Sequence, residues 1–244
     1  MVTKQEIKLI KSLNQKKYRQ QLGLFIVEGI KGIEEFLNSD FKLNRLYTTK
    51  QIFEAPKNET TEISENELKK ITSLKNPNTA LAIFEIPKPV KVDNRGLIVA
   101  LDDVRDPGNL GTIIRLCDWY GIKDLVCSLN TVDCYNSKVV QATMGSLTRV
   151  NITYLDLAEF MSNSNSPIFG TYMNGENIYS SNLPNDGIIV LGNEANGISE
   201  KITSIIDRKI TIPQFGNSKD TESLNVANAT AIVLSEFKRR TIEM

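Results

Sequence analysis

Six short runs rich in β-branched and aliphatic residues punctuate the chain after residue 95: GLIVALDD, KDLVCSL, RVNITYL, PIFGTYM, GIIVLGNE and RKITIPQF. Helical patterns or polar loops separate them. Leu97–Leu101 and Ile188–Leu191 are apolar at every position. A strand with one wet face alternates, so an unbroken run predicts burial on both faces. That implies an α/β fold built on a mainly parallel sheet with helices on each side. A last helix is expected over about 223–240, where Val226, Thr230, Val233 and Phe237 share one stripe.

The first part of the chain mixes both periods. Residues 4–20 suit one helix with Ile7, Ile10 and Leu13 on one side. LGLFIVEG reads as a strand running into a glycine turn, with Glu28 and Gly29 as fold determinants. GIEEFLNS reads as helix, and LNRLYTT and TALAIFEI as strands. In TEISENELKKITSL, Ser64 followed by Glu67 is a capping box that opens a helix. PKPVKVDN, with two prolines and no periodicity, reads as linker. The expected division is a first domain over 1–88, a linker over 89–94 and a second domain over 95–244.

Charge changes this picture at one end. Lysine and arginine balance aspartate and glutamate, 29 against 29. Yet residues 1–20 carry Lys4, Lys8, Lys11, Lys16, Lys17 and Arg19 against Glu6 alone. Such a helix either faces a phosphate backbone or is a solvated surface. Lys238, Arg239 and Arg240 repeat the ambiguity. No stretch approaches the ~20 apolar residues that span a bilayer, and the first residues lack an apolar core of signal-peptide type. A cytoplasmic protein is expected. Cys117, Cys127 and Cys134 show no metal spacing and read as small buried hydrophobes. Histidine is absent. That excludes Ser-His-Asp and Cys-His catalysis and histidine-held zinc, and no metal is expected.

Ligands of open parallel sheets bind beyond the carboxyl ends of the strands, and three strand ends carry candidate chemistry. LDDVRDPGNLGTIIRLCDWYG offers Asn109 as N-cap of a helix from Leu110, with Gly111 on the same face as Arg115. Asp118 either steadies Arg115 or forms an ordinary surface pair with it. Gly108 and Gly111 fit no dinucleotide fingerprint, and no Walker lysine follows. VLGNEANGIS places Glu194 just past a buried strand, with Gly192 allowing close approach of a ligand. ITIPQFGNSKDTESLNVANAT brings Ser223 and Asn225 to a helix N-terminus as polar ligand contacts, unless Ser223 is simply the helix cap.

N-x-G-x-x-x-R, L-G-N-E-x-x-G-I-S and I-P-x-x-G…E-S-L-N-V, in this order, closely resemble the signature motifs of the SpoU (TrmH-type) RNA 2′-O-ribose methyltransferases of the SPOUT superfamily. The resemblance covers roughly 95–240. The first region, with LFIVEGIKGIEEFL, is similar to the small α/β RNA-binding domain that precedes the catalytic domain in many members. The resemblance implies a deep C-terminal trefoil knot and a homodimer with its active site at the interface. It also implies S-adenosyl-L-methionine as cofactor, held mostly by backbone groups. Those contacts map to Gly192, Ile212 and Leu224, with Leu191, Asn193, Gly197 and Pro213 as neighbours. Arg115 would take the proton of a ribose 2′-hydroxyl or hold phosphate and sugar. Asn109 would order its loop and help hold substrate. Glu194 would anchor the loops, and Ser223 and Asn225 would orient the hydroxyl or Arg115. The substrate implied is ribosomal RNA ahead of transfer RNA, with a non-catalytic RNA-binding or ribosome-assembly factor of the same fold as the alternative. The basic first helix then reads as RNA-facing. Two departures stand out: Ala195 follows Glu194 where many members have glycine, and the loop between the cofactor strand and Ser223 is long.

Overall fold

Thr3 and Ser64 each open a helix with the same device. Each hydroxyl accepts from the backbone N–H three residues on, and the glutamate there, Glu6 or Glu67, reaches back to the cap's own N–H. Two donors that the helix itself cannot satisfy are thereby paired. The computed structural model describes residues 1–216 and 223–239.

The expected helix over 4–20 is two helices, α1 (Lys4–Ser12) and α2 (Lys16–Leu22). Ser12 Oγ turns back to donate to the Leu9 carbonyl at 2.7 Å, and polar Asn14 and Gln15 fill the break. Such side chains compete with the helix ladder. Arg19 of α2 then donates Nη1 to the Leu13 carbonyl at 2.8 Å, occupying an acceptor left open where α1 ends.

β1 (Leu24–Glu28), α3 (Ile30–Leu37), β2 (Leu43–Thr48), β3 (Thr60–Glu62), α4 (Glu65–Ile71) and β4 (Ala80–Glu85) follow. Their sheet has the order β1-β4-β2-β3, with β4 antiparallel to both neighbours and β3 parallel to β2. Three-residue Thr-Thr-Glu β3 has no apolar pattern to announce it. Ile10, Leu13, Ile26, Leu68, Ile71 and Leu81 form one buried cluster. Phe25, Phe36 and Phe84 form a second, with centroids 5.3–6.2 Å apart. Glu28 accepts from Thr72 Oγ1 and from the Ser73 N–H at 3.0 Å, tying the end of α4 to β1. Burial raises its carboxyl above the usual carboxylate range, and those two bonds oppose the shift.

The chain continues through β5 (Leu97–Leu101), α5 (Pro107–Trp119) and β6 (Asp124–Ser128). Residues 133–148 then group with the first unit, so the two compact units are 1–89 plus 133–148 and 90–132 plus 149–244. The sequence pattern alone keeps all of 95–244 together, because nothing local marks 133–148 as belonging elsewhere. The inserted segment carries α6 (Ser137–Thr143), which packs on β1, and Tyr135, whose ring lies 4.8 Å from that of Phe25. Asp133 receives Arg19 Nε and Nη2 at 2.8 and 2.5 Å.

That contact corrects one expectation. Arg19, placed among the RNA-facing cations, is 2 % exposed and committed to Asp133 and Leu13. Lys4, Lys8, Lys11, Lys16 and Lys17 are exposed. Arg19→Ala strands a largely buried carboxylate, which typically costs about 3–5 kcal/mol. A urea midpoint unchanged from wild type would contradict this assignment.

β7 (Asn151–Leu155), α7 (Leu157–Ser162), β8 (Ile168–Asn177), β9 (Gly187–Leu191), α8 (Glu200–Thr203), β10 (Arg208–Thr211) and α9 (Val226–Arg239) complete the second unit. Its sheet runs β10-β8-β9-β5-β6-β7 and is parallel throughout. β5 and β9 are buried at every position, as their unbroken apolar runs require. In α9, Val226, Thr230, Val233 and Phe237 are all buried, and Phe237 meets Phe169 edge-on at 5.3 Å. α9 packs on α5. Arg239 pairs with Glu236 at 2.8 Å; Arg240 lies outside the described residues. The three cysteines are buried and unbonded to one another. Among the described residues no helix is long and apolar enough to cross a membrane.

Candidate active site

Asp106 sets the geometry of the first strand end. Its Oδ1 accepts from the Asn109 N–H at 2.8 Å and caps α5, with Pro107 in the first turn. The helix therefore starts three residues before the expected Leu110, and Asn109 is not its cap. Freed from capping, the Asn109 side chain donates Nδ2 to Glu194 Oε1 at 2.8 Å. Its Oδ1 accepts from Asn225 Nδ2 at 2.9 Å. Asn225 in turn caps α9, its Oδ1 accepting from the N–H groups of Ala227 and Asn228 at 2.9 and 3.3 Å. The cap of the last helix is thus Asn225, not Ser223. One hydrogen-bonded chain, Asn225–Asn109–Glu194, joins the three strand-end motifs.

Arg115 lies further along α5. It is exposed and makes no hydrogen bond or ion pair with the described residues. Asp118 does not steady it: the Asp118 carboxylate accepts from Arg149 Nε at 2.9 Å, because Arg149 arrives beside it just ahead of β7. Gly111 is buried.

The loop after β9 is built around Asn193. Its backbone exchanges hydrogen bonds with Gly197 at 3.0 and 2.9 Å. Its Oδ1 accepts from the Ala195 and Asn196 N–H groups, and its Nδ2 donates to the Asp103 carbonyl at 2.8 Å. Gly197 has φ +68°, a conformation that favours glycine. A Cβ on Gly192 would lie 2.2 Å from the Gly197 carbonyl carbon and 2.3 Å from the Ile198 nitrogen. Ala195, by contrast, is not among the described residues with positive φ, so alanine is unstrained there. Sequence reasoning missed Asp102, a buried carboxylate whose Oδ2 accepts from the Ser199 N–H at 2.8 Å and holds the far end of the loop. Its signal was there, in an acid directly after a wholly apolar strand.

Between this loop and the segment after β10 lies a cavity of about 850 Å³. Leu191, Gly192, Asn193, Gly197, Ile212, Pro213 and Leu224 all line it, as do Glu194 and Ser223. Its floor is aliphatic, with Ile198, Ile210 and Val233. Glu194 and Lys209 are the charged residues among its described lining. Thr171–Asn174 form a wall that the sequence did not indicate. The register of β8 on β10 jumps between Lys209 and Ile210, opposite Gly170 and Glu176, and this segment bows out. Gly175 sits against the Lys209 backbone, where a Cβ would come within 2.6 Å of its carbonyl oxygen. Residues 217–222 of the long loop lie outside the described residues. Among those described, no cluster of three or more metal-ligating side chains occurs.

An aliphatic floor, backbone groups on two sides, one carboxylate and one ammonium suit a small ligand that has an apolar ring system and charged groups. A family model for SpoU rRNA methylases matches residues 96–235, and a model for the MRM3-like substrate binding domain matches 4–82. The chain is 27 % identical over 243 residues to the 23S rRNA (guanosine(2553)-2′-O)-methyltransferase RlmP of Bacillus subtilis, covering 96 % of each. It is 32 % identical over 151 residues to a 23S rRNA (guanosine-2′-O-)-methyltransferase of Neisseria meningitidis, covering 60 % of this chain and 59 % of the other. A TrmH-family RNA methyltransferase structure from Porphyromonas gingivalis superposes with a TM-score of 0.91 at 36 % identity, covering 98 % of this chain and 99 % of that one. An AdoMet-bound rRNA methyltransferase from Sinorhizobium meliloti superposes with a TM-score of 0.87 at 29 % identity, covering 100 % and 97 %.

Proposed function

The chain belongs to the SpoU rRNA methylase family of the SPOUT superfamily, and from that premise we infer that it methylates a ribose 2′-hydroxyl of RNA with S-adenosyl-L-methionine, in ribosomal RNA ahead of transfer RNA. The observation that carries this reading is the Asn225–Asn109–Glu194 chain at the edge of the cavity. The donor set fits the cofactor: aliphatic residues for the adenine, backbone groups for the ribose, and Glu194 for a cationic group. When bound, the cofactor supplies an electrophilic methyl group on a sulfonium, released as a neutral thioether.

The remaining work falls to this chain. The hydroxyl must lose its proton as its oxygen gains the methyl carbon, and it must be held in line for the transfer. Asn109 is fixed at both ends of its amide, so it ties the first turn of α5, the helix that carries Arg115, to the loop after β9 and the start of α9. Arg115, with no partner of its own among the described residues, binds the phosphate next to the target ribose. Proton release is then shared with phosphate or water. Glu194 anchors the loop after β9 through Asn109, and Ser223 faces the same space from the other side.

The knot expected of the family is supported by the return of α9 onto α5 after β10, which forms the far edge of the sheet. A homodimer with the active site at its interface is supported by Trp119, at the end of α5 and 84 % exposed. A cytoplasmic enzyme, with exposed Lys4, Lys8, Lys11, Lys16 and Lys17 facing RNA, completes the reading.

Labelled S-adenosyl-L-methionine and total RNA lacking the modification test it. The expected product is label in alkali-resistant dinucleotides. Cofactor binding without label in any RNA would leave the non-catalytic RNA-binding factor as the better description.

A further inference from the structure

Large apolar side chains gather at the mouth of the cavity and remain exposed. Met173, Phe215 and Leu224 line it at 59, 83 and 48 % exposure. Tyr179 stands just outside, 44 % exposed, its ring centroid 6.4 Å from that of Phe215 and inclined by 32°. Two neighbouring aromatic rings, tilted to one another and partly exposed at the rim of a site, leave costly apolar surface in water.

The turn that carries Tyr179 is firmly built. Asn177 Oδ1 accepts from the Tyr179 N–H at 3.0 Å, and Ser181 Oγ donates to the Asn177 carbonyl at 2.8 Å. Arg208 clamps both sides of the turn, donating to the Asn182 carbonyl at 2.7 Å and to Glu176 at 2.5 Å. A platform held this way loses little freedom when something settles on it.

We propose that Tyr179 and Phe215 form a stacking platform for an unpaired base of the RNA, beside the ribose that is methylated. The proposal rests on the ribose-methyltransferase reading. If the 2′-hydroxyl reaches the Asn109–Glu194 edge of the cavity, the bases of that nucleotide and its neighbours lie at the rim. A base drawn out of its helix gives up stacking and needs a new aromatic surface in exchange. Every base has a π-face, so such a platform aids binding without dictating sequence. Exposed Lys209, also in the cavity lining, holds its ammonium 4.9 Å from the centre of the Tyr172 ring and adds a positive charge to that lining. Phe215 lines the mouth of the cavity and Tyr179 stands outside the lining, so Tyr179 is the half of the platform clear of the cofactor's space.

Tyr179→Ala tests it, measured with unmodified total ribosomal RNA and labelled S-adenosyl-L-methionine. Tyr179 is exposed and outside the cavity lining, so the variant folds and keeps the cofactor's space. The expected result is a KM for RNA raised on the order of tenfold, with kcat and the calorimetric affinity for S-adenosyl-L-methionine held. Tyr179→Trp keeps the wild-type RNA KM, which a merely structural residue would not allow. The proposal is overturned by an unchanged RNA KM. It is overturned equally by a matching loss of cofactor affinity, which would put the rings on the cofactor, or by a lowered solution mass, which would put them on a second copy. A wild-type protein that binds cofactor yet labels no RNA defeats the underlying reading and this inference with it.

Discussion

Arg115→Ala is expected to remove methyl transfer while leaving cofactor binding and folding intact. The side chain is exposed and bonds to nothing among the described residues, so its loss strands no buried partner. Surface changes of that kind stay within about 0.5 kcal/mol of wild-type stability. The cavity lining does not include it. Removing one positioned donor from a transition state typically costs about 10²–10³ in kcat, and a phosphate-binding guanidinium supplies more than one donor. Single-turnover transfer, cofactor calorimetry and a melting curve on the same preparation check all three parts. Retained turnover would sink the assignment. Arg115→Lys separates the two roles open to the arginine. Lysine keeps the charge and loses the planar fork, so a positioning role predicts slower transfer with the same pH profile. A proton-accepting role predicts a profile displaced toward lower pH, since the lysine pKa is about 2–3 units below that of arginine.

Gly192→Ala should be nearly as damaging by a different route. The added carbon meets backbone of Gly197 and Ile198 at 2.2–2.3 Å, and backbone cannot rotate out of the way as a side chain can. The loop must shift as a body, taking Glu194 and the Asn193–Gly197 bonds with it. Overpacking of this sort costs about 1–3 kcal/mol. A displacement near 1 Å at the reacting groups costs about a hundredfold in rate. The expected outcome is weakened S-adenosyl-L-methionine binding by calorimetry together with lost turnover. Wild-type affinity in Gly192→Ala would mean that this loop does not shape the cofactor site.

Much of the second unit could be read from the chain because its signals are local. An unbroken apolar run such as Ile188–Leu191 has one comfortable environment, the middle of a covered sheet. Ser64 and Glu67 declare a helix start within four residues. The residue types of the candidate site were legible in the same way, at the ends of β5, β9 and β10. What could not be read was partnership. Asn109 looks like a cap until Asp106 takes that role, and nothing local says that its amide will bridge Glu194 and Asn225. Arg19 looks like another surface cation because Asp133 is 114 residues away. The wall at Thr171–Asn174 depends on a register jump between β8 and β10, which the composition of neither strand encodes.

The membership of residues 133–148 in the first unit also has a temporal side. A chain leaving the ribosome delivers residues 1–89 first, and at that moment the Arg19 guanidinium has no carboxylate to meet. Its partner emerges only after β5, α5 and β6 have been synthesised. The amino-terminal unit therefore finishes folding late, after part of the second unit already exists, and a fragment ending at the linker is left permanently at that unfinished stage.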